Sequence, residues 1–242
     1  MIAGLPASLR ENWAQTLRPD KNVADPLRDA LWVAAGAPGD PLVRQLLTWC
    51  VEYADLADHD PRWESGWNSG YRDQMRGNLI ECRALARAWL ADSALDDAAL
   101  AEAAALLENN AIEIGFWAGP EQSQLLAASQ LYLIAGDAAR ARAALARRKR
   151  YRHTQHYLDW YVRVLDLLDA GDHAAALGAF DEWFDVVRRA DWTPPSGGPP
   201  GWFVAGDRTR LQLRLALIRR VRIERQPLAG HWREVIATIA GP

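Results

Sequence analysis

The stretch Leu125–Ala146, LLAASQLYLIAGDAARARAALA, decides the fold because the chain repeats its pattern 35 residues later. The second copy is Trp160–Asp181, WYVRVLDLLDAGDHAAALGAFD. In each copy an apolar segment with helical spacing ends at Ala-Gly-Asp, and an alanine-rich segment follows. Glycine readily takes the left-handed conformation that ends a helix, and the aspartate after it can cap the next helix. The stretch therefore predicts two helical hairpins, each joined by a tight turn.

Small and large residues follow each turn at matching positions. Ala141 and Ala176 stand at the same offset, and Leu145 and Phe180 come four residues later. A small residue allows two helices to approach closely, and a larger one fills the space beside it. The pattern indicates that both hairpins pack through equivalent contacts.

These two copies resemble tetratricopeptide (TPR) repeats, whose units have a similar length, a turn between two helices, a small residue and a later aromatic. The matching residues are Tyr132, Trp160, Gly136-Asp137, Gly171-Asp172, Ala141, Ala176 and Phe180. The resemblance covers residues 121–189. Arg148 and Trp183 depart from it, because the family usually has a small residue there, and no proline closes either unit. The resemblance implies stacked antiparallel helical hairpins.

Helical patterns also fill most of the remaining sequence, at residues 6–17, 26–35, 40–56, 71–90, 96–114 and 207–225 and from His231 onward. We therefore predict an all-α protein, a TPR-like α-solenoid or helical bundle with about nine to ten helices. One domain is expected, with N-terminal helices in 1–117, two repeat-like hairpins in 118–190, a Pro/Gly loop in 191–206 and C-terminal helices in 207–242. The alternation in Leu211–Leu215 is also compatible with a strand, but its continuation to Glu224 favours a helix.

The overall composition gives no reason to expect a membrane or nucleic acid as partner. The net charge is −3 and half of the residues are hydrophobic. Cys50 and Cys82 are too few for a disulfide framework and are expected to be buried thiols in a reducing cytosol. The N-terminus has no signal-peptide pattern, and no stretch approaches the ~18 apolar residues of a membrane span. We expect a cytoplasmic protein, and the preference for arginine over lysine is typical of a GC-rich bacterial gene.

Charge is segregated along the chain. Asp92–Glu113 contains six acidic residues and no basic one, whereas Arg140–Arg152 contains seven basic residues and no acidic one. Residues 207–225 add seven arginines. Two interpretations stay open: the opposite charges pair with each other across the fold, or one of them forms a surface that binds a charged partner.

Two sequence patterns could carry chemistry. Asp58, His59 and Asp60 could contribute to a metal site, as in helical phosphohydrolases, but further ligands are not evident. The active motif of helical HEPN ribonucleases is an arginine followed by a histidine a few residues later. The pairs Arg148–His153 and Arg150–His156 resemble this motif in their spacing alone. Solvated turn and helix-end residues explain both patterns as well. No phosphate-binding loop, Cys/His metal spacing or nucleophile elbow occurs, so we predict no catalytic residue, no metal and no cofactor.

Tryptophan is abundant, with 12 residues in the chain. Trp63 and Trp67 lie in a predicted loop near Gly66, where their burial is not assured. Aromatic residues on loops are frequent anchors of protein interfaces, although they can also pin a loop to the helices beneath it.

From these features we predict a non-catalytic module that binds another protein, in the form of a bacterial toxin-neutralising immunity protein. Nuclease toxins expose basic surface to hold phosphates, so an inhibitor would present acids to them. The predicted binding residues are Asp96, Asp97, Glu102, Glu108, Glu113, Trp63 and Trp67. The alternatives are a TPR-like adaptor or regulator, a helical metal-dependent hydrolase using Asp58, His59 and Asp60, and a HEPN-like ribonuclease using Arg148 and His153.

Overall fold

The computed structural model of the chain describes residues 40–59, 69–91, 94–114, 120–147, 155–188, 205–228 and 231–240. Within these ranges the chain forms α-helices and no strand. The first five helices are α1 (Pro41–Asp58), α2 (Ser69–Ala91), α3 (Asp97–Ile114), α4 (Pro120–Ile134) and α5 (Ala138–Ala146). The last four are α6 (Gln155–Asp169), α7 (His173–Arg188), α8 (Ala205–Leu217) and α9 (Trp232–Ala240), with a π-helical segment, Ile218–Ile223, directly after α8.

The predicted all-α class is confirmed. Helix α3 begins at Asp97 and ends at Ile114, as the sequence pattern indicated. Leu211–Leu215 lies inside α8 and not in a strand. The π-helical segment was not predicted, because its sequence continues the helical pattern of α8. The predicted helices at 6–17 and 26–35, and Trp63 and Trp67, lie outside the described residues.

Both Ala-Gly-Asp turns have the backbone that the sequence predicts. Gly136 has a φ of 90° and Gly171 a φ of 74°, in the left-handed region that residues with a Cβ avoid. The amide of Asp137 donates to the Tyr132 carbonyl at 2.9 Å, and the amide of Gly136 donates to the Leu133 carbonyl at 3.1 Å. Equivalent bonds close the second turn, so both helices end in the same double hydrogen-bonded motif.

The aspartate of each turn caps the helix that follows. Asp137 Oδ1 accepts a hydrogen bond from the Arg140 amide at 2.9 Å. Asp172 Oδ1 accepts one from the Ala175 amide at 3.0 Å. Each carboxylate thus satisfies an amide that the first turn of a helix leaves unpaired.

Consecutive helices pack against one another from α1 to α5, and α6 packs against α7. Helix α8 and the π-helical segment then return to pack on α4 and α7. At the C-terminus, Trp232 of α9 stacks on Trp89 of α2 with 4.9 Å between ring centroids. The C-terminal helices therefore belong to the core that the hairpins build.

Two helices are buried on every side over the residues whose side chains the structure describes. All residues of α4 from Gln124 to Ile134 are buried, and so are residues 211–218 of α8 and the π-helical segment. A stack of hairpins would leave one side of α4 open, and α8 covers α4 here. No helix in the described ranges is both long enough and apolar enough to cross a membrane.

The two turn glycines provide a matched stability test. A Cβ on Gly136 would lie 3.1 Å from Nη2 of Arg222, whereas a Cβ on Gly171 would have no neighbour within 4 Å. Gly171→Ala should therefore destabilise the protein only through its positive φ, by roughly 1–2 kcal/mol. Gly136→Ala should cost more, because the methyl group must also displace the Arg222 guanidinium. Urea denaturation of both variants measures the difference, and an equal or larger loss for Gly171→Ala would contradict this account.

Candidate functional site

Three of the predicted binding acids lie at the exposed start of α3. Asp96 caps the helix, since its Oδ1 accepts a hydrogen bond from the Ala99 amide at 3.0 Å. Asp97 and Glu102 are exposed on the first turns. Glu102 Oε1 lies 3.9 Å from Arg76 Nη2, and its side chain is 53% exposed, so this ion pair is weak. Together Asp96, Asp97 and Glu102 form what we call the α3 acidic surface.

The carboxyl group of Asp97 has an unusual environment for an exposed acid. Its partial burial raises its pKa above the ordinary value. The positive charge of Arg222 opposes this increase, and the adjacent negative charge of Asp96 adds to it. The positive charge of Arg222, in the C-terminal region, therefore already acts on one carboxylate of the α3 acidic surface.

Glu108 does not belong to the exposed acidic surface. Its Oε1 accepts a hydrogen bond from Arg147 Nη1 at 2.7 Å, and its Oε2 accepts one from the Tyr132 hydroxyl at 3.2 Å. Burial, together with the charge of Glu108, raises the pKa of Tyr132 to about 12. At this point the acidic and basic segments of the sequence do pair with each other. The side chain of Glu113 lies outside the described part of the structure.

Asp58 connects α1 to α2. Its Oδ1 accepts from Arg76 Nε at 2.8 Å, and its Oδ2 accepts from Arg83 Nη1 at 2.9 Å. Burial alone would raise the pKa of Asp58, but the hydrogen bonds and charges of the two arginines together outweigh it and hold that pKa below its usual value. Both carboxylate oxygens are thus engaged by guanidinium groups.

The remaining residues of the two chemical hypotheses are only partly described. His59 is exposed, and its Nδ1 lies 2.8 Å from the Asp55 carbonyl oxygen. Asp60 lies outside the described residues, as do Arg148, Arg150 and His153. Among the residues that the structure describes, no group of three or more His, Cys, Asp or Glu side chains is placed to hold a metal ion.

The structure contains a buried polar cluster that the sequence did not predict. Glu81 of α2 is fully buried, and its Oε1 lies 2.6 Å from Arg214 Nη1 of α8. Arg214 Nε donates to Gln130 Oε1 of α4 at 2.9 Å. Arg214 stands between leucines in the sequence, and Glu81 between Ile80 and Cys82. Apolar neighbours on both sides were the available signal that these charges are buried.

Of the seven arginines in residues 207–225, four have contacts inside the protein, and Arg214 is one of them. Beyond Arg214, three arginines of the π-helical segment each contact a different helix. Arg219 pairs with Asp181 of α7 at 3.7 Å, Arg220 pairs with Glu234 of α9, and Arg222 donates from Nε to the Ile134 carbonyl of α4 at 3.0 Å. These arginines hold the C-terminal region in place and do not form an open basic face.

The Asp58 cluster makes stability depend on pH. Because the pKa of Asp58 is lower in the folded protein, its carboxylate contributes full stability above the unfolded-state value near 3.8. This contribution is lost as the pH falls through the lower folded-state pKa. Asp58→Asn should cost about 1–3 kcal/mol at neutral pH and clearly less near pH 3. Urea midpoints of both proteins at the two pH values test this, with Asp159→Asn as an exposed control. A loss that does not shrink in acid would contradict it.

The Glu81–Arg214 pair should show strong coupling in a double-mutant cycle. Arg214→Leu leaves the Glu81 carboxylate buried without this guanidinium and should cost about 3–5 kcal/mol. Glu81→Leu/Arg214→Leu removes both charges and should recover a substantial part of that loss. Urea denaturation of the two single variants and the double variant measures the coupling free energy. Additive losses would show that the two side chains do not depend on each other.

Comparison of the chain with protein-family models, with curated proteins and with solved structures found no match. The resemblance of the two Ala-Gly-Asp copies to TPR repeats therefore stays a prediction from the sequence. What the chain can bind has to be inferred from its own surface charges and side-chain contacts.

Proposed function

We propose that this chain is a non-catalytic helical protein that binds a basic protein partner through the α3 acidic surface. One observation carries the proposal. Asp96, Asp97 and Glu102 are exposed at one end of α3, whereas most described arginines contact acidic side chains or carbonyl oxygens within the molecule. The arginines with such contacts are Arg44, Arg72, Arg76, Arg83, Arg87, Arg140, Arg142, Arg147, Arg163, Arg214, Arg219, Arg220 and Arg222.

This charge distribution supports a basic partner on electrostatic grounds. Guanidinium groups that are paired with carboxylates contribute little to the attraction of another molecule, because the carboxylate balances their charge nearby. Arg44 and Arg222 contact carbonyl oxygens instead and keep their charge. Exposed carboxylates with weak pairing attract an oppositely charged surface and increase the rate of encounter. A nuclease toxin is a partner with that property, since it must expose basic residues to hold phosphates. Neutralisation of such a toxin is the specific function that we propose.

The hydrolase alternative has weaker support than the binding role. A metal ion at Asp58 would have to displace Arg76 and Arg83, which occupy both carboxylate oxygens. If a metal ion took the Asp58 carboxylate, the guanidinium groups of Arg76 and Arg83 would stay partly buried between α1 and α2 without that partner. A TPR-like adaptor remains the second candidate. Adaptors of this kind consist of stacked hairpins, and such a protein would also bind its partner through an exposed surface.

The proposal is tested by charge reversal at Glu102. A partner is first captured from a lysate of the source cells, and its association rate is then measured with the wild type and Glu102→Lys. We expect Glu102→Lys to slow association roughly threefold to tenfold at low salt, because a positive charge then faces a basic partner. The difference should nearly vanish at about 1 M salt, where charges are screened beyond ~3 Å.

Glu182 of α7 gives a matched control. Like Glu102 it is a mostly exposed glutamate with one weak pair, 3.7 Å from Arg163. Glu182→Lys should leave the association rate unchanged. Equal rates for the wild type and Glu102→Lys at low salt would overturn the α3 acidic surface as the binding site. A captured protein that is toxic when expressed alone and harmless when co-expressed with this chain would distinguish neutralisation from an adaptor role.

A further inference from the structure

The two Ala-Gly-Asp turns share a backbone but differ in what lies against them. At the first turn, Arg222 Nε donates to the Ile134 carbonyl at 3.0 Å. The Arg222 Nη2 atom lies 3.1 Å from the place where a Cβ on Gly136 would stand. The missing side chain of Gly136 thus gives a guanidinium group access to the end of α4. At the second turn, no atom of the described residues lies within 4 Å of the equivalent point on Gly171.

The residues beside the two turns also differ at equivalent positions. Leu131 and Ile134 precede the first turn, and both are fully buried. The residues 35 positions later are Asp166 and Asp169, whose side chains are 62% and 50% exposed. The side of the repeat that is apolar and covered in the first copy is therefore acidic and exposed in the second.

Among the residues that the structure describes, the exposed end of α6 keeps a net negative charge. Arg142 Nη2 lies 3.0 Å from Asp166 Oδ1 and 2.5 Å from Asp169 Oδ2. One guanidinium group against two carboxylates leaves one negative charge. The last carbonyl groups of α6 add partial negative charge at the same place.

We propose that the Gly171 turn is a docking point for an arginine side chain of a partner protein, as the Gly136 turn is for Arg222. A guanidinium group over Gly171 would donate to the Asp169 carbonyl and face the charge of Asp166 and Asp169. Arginine fits this place better than lysine, because its planar group lies flat over a residue without a Cβ and offers several donors at once. The inference rests on the proposed binding function and names a second contact, separate from the α3 acidic surface.

The test uses the full chain and a small probe, N-acetyl-arginine methylamide, in a titration followed by ¹H–¹⁵N NMR. The Gly171 and Asp172 amides should shift in a saturable way, and the lysine analogue should shift them at least threefold less. The Gly136 amide should not respond in the wild type, because Arg222 already lies there. In Arg222→Ala the Gly136 amide should begin to respond to the arginine probe.

Two variants complete the test. Gly171→Ala places a methyl group where the guanidinium would lie and should weaken the response at Asp172 at least tenfold. Asp169→Asn removes one negative charge at an exposed position and should also weaken the response at Asp172. This variant replaces Gly171→Ala in the test if Gly171→Ala does not fold. The inference is overturned if Gly171 gives no saturable shift, or if the arginine and lysine probes act equally. Neither result bears on the α3 acidic surface, since the titration contains no partner protein and Glu102 is unchanged.

Discussion

Helix α4 has no face toward solvent from Gln124 to Ile134, and its polar side chains therefore face the interior of the protein. Three such side chains form hydrogen bonds with neighbouring helices. Gln124 accepts one from Asn110 of α3, and Gln130 accepts one from Arg214 of α8. The Ser129 hydroxyl donates to the Ala141 carbonyl of α5 and lies 3.0 Å from the Tyr161 hydroxyl of α6. A hydrogen bond has stricter geometry than an apolar contact. These bonds consequently restrict how α3, α5, α6 and α8 can sit around α4.

Arginine makes this arrangement possible at the C-terminal side of the core. Its planar group donates in several directions, so one side chain can join two helices. Arg214 does so between Glu81 and Gln130, and Arg222 closes the end of α4. Because these arginines act inside the protein, the charge exposed to other molecules differs from the charge read along the sequence. The acids at the start of α3 are exposed, whereas Arg83, Arg214 and Arg220 are buried.

The parts of the fold that local sequence determines were predictable. Gly136 and Gly171 end helices because only a residue without a Cβ takes their φ at little cost, and this requirement is visible in the sequence. The contacts of Glu108 and Arg214 depend on which helices meet. Periodicity indicates that a residue faces another helix, but it does not identify that helix. The run of acids therefore suggests that Glu108 is exposed, although Arg147 binds it, and periodicity does not reveal the Arg214 cluster.

The long separation between Glu81 and Arg214 has a consequence for synthesis of the chain on the ribosome. At about 5–20 residues per second, the ribosome needs on the order of ten seconds to extend the chain from one residue to the other. In the last part of this interval α4 exists without α8, which packs on it in the finished fold, and Glu81 has no contact with Arg214. The N-terminal helices can form early, but their shared core closes only when α8 emerges.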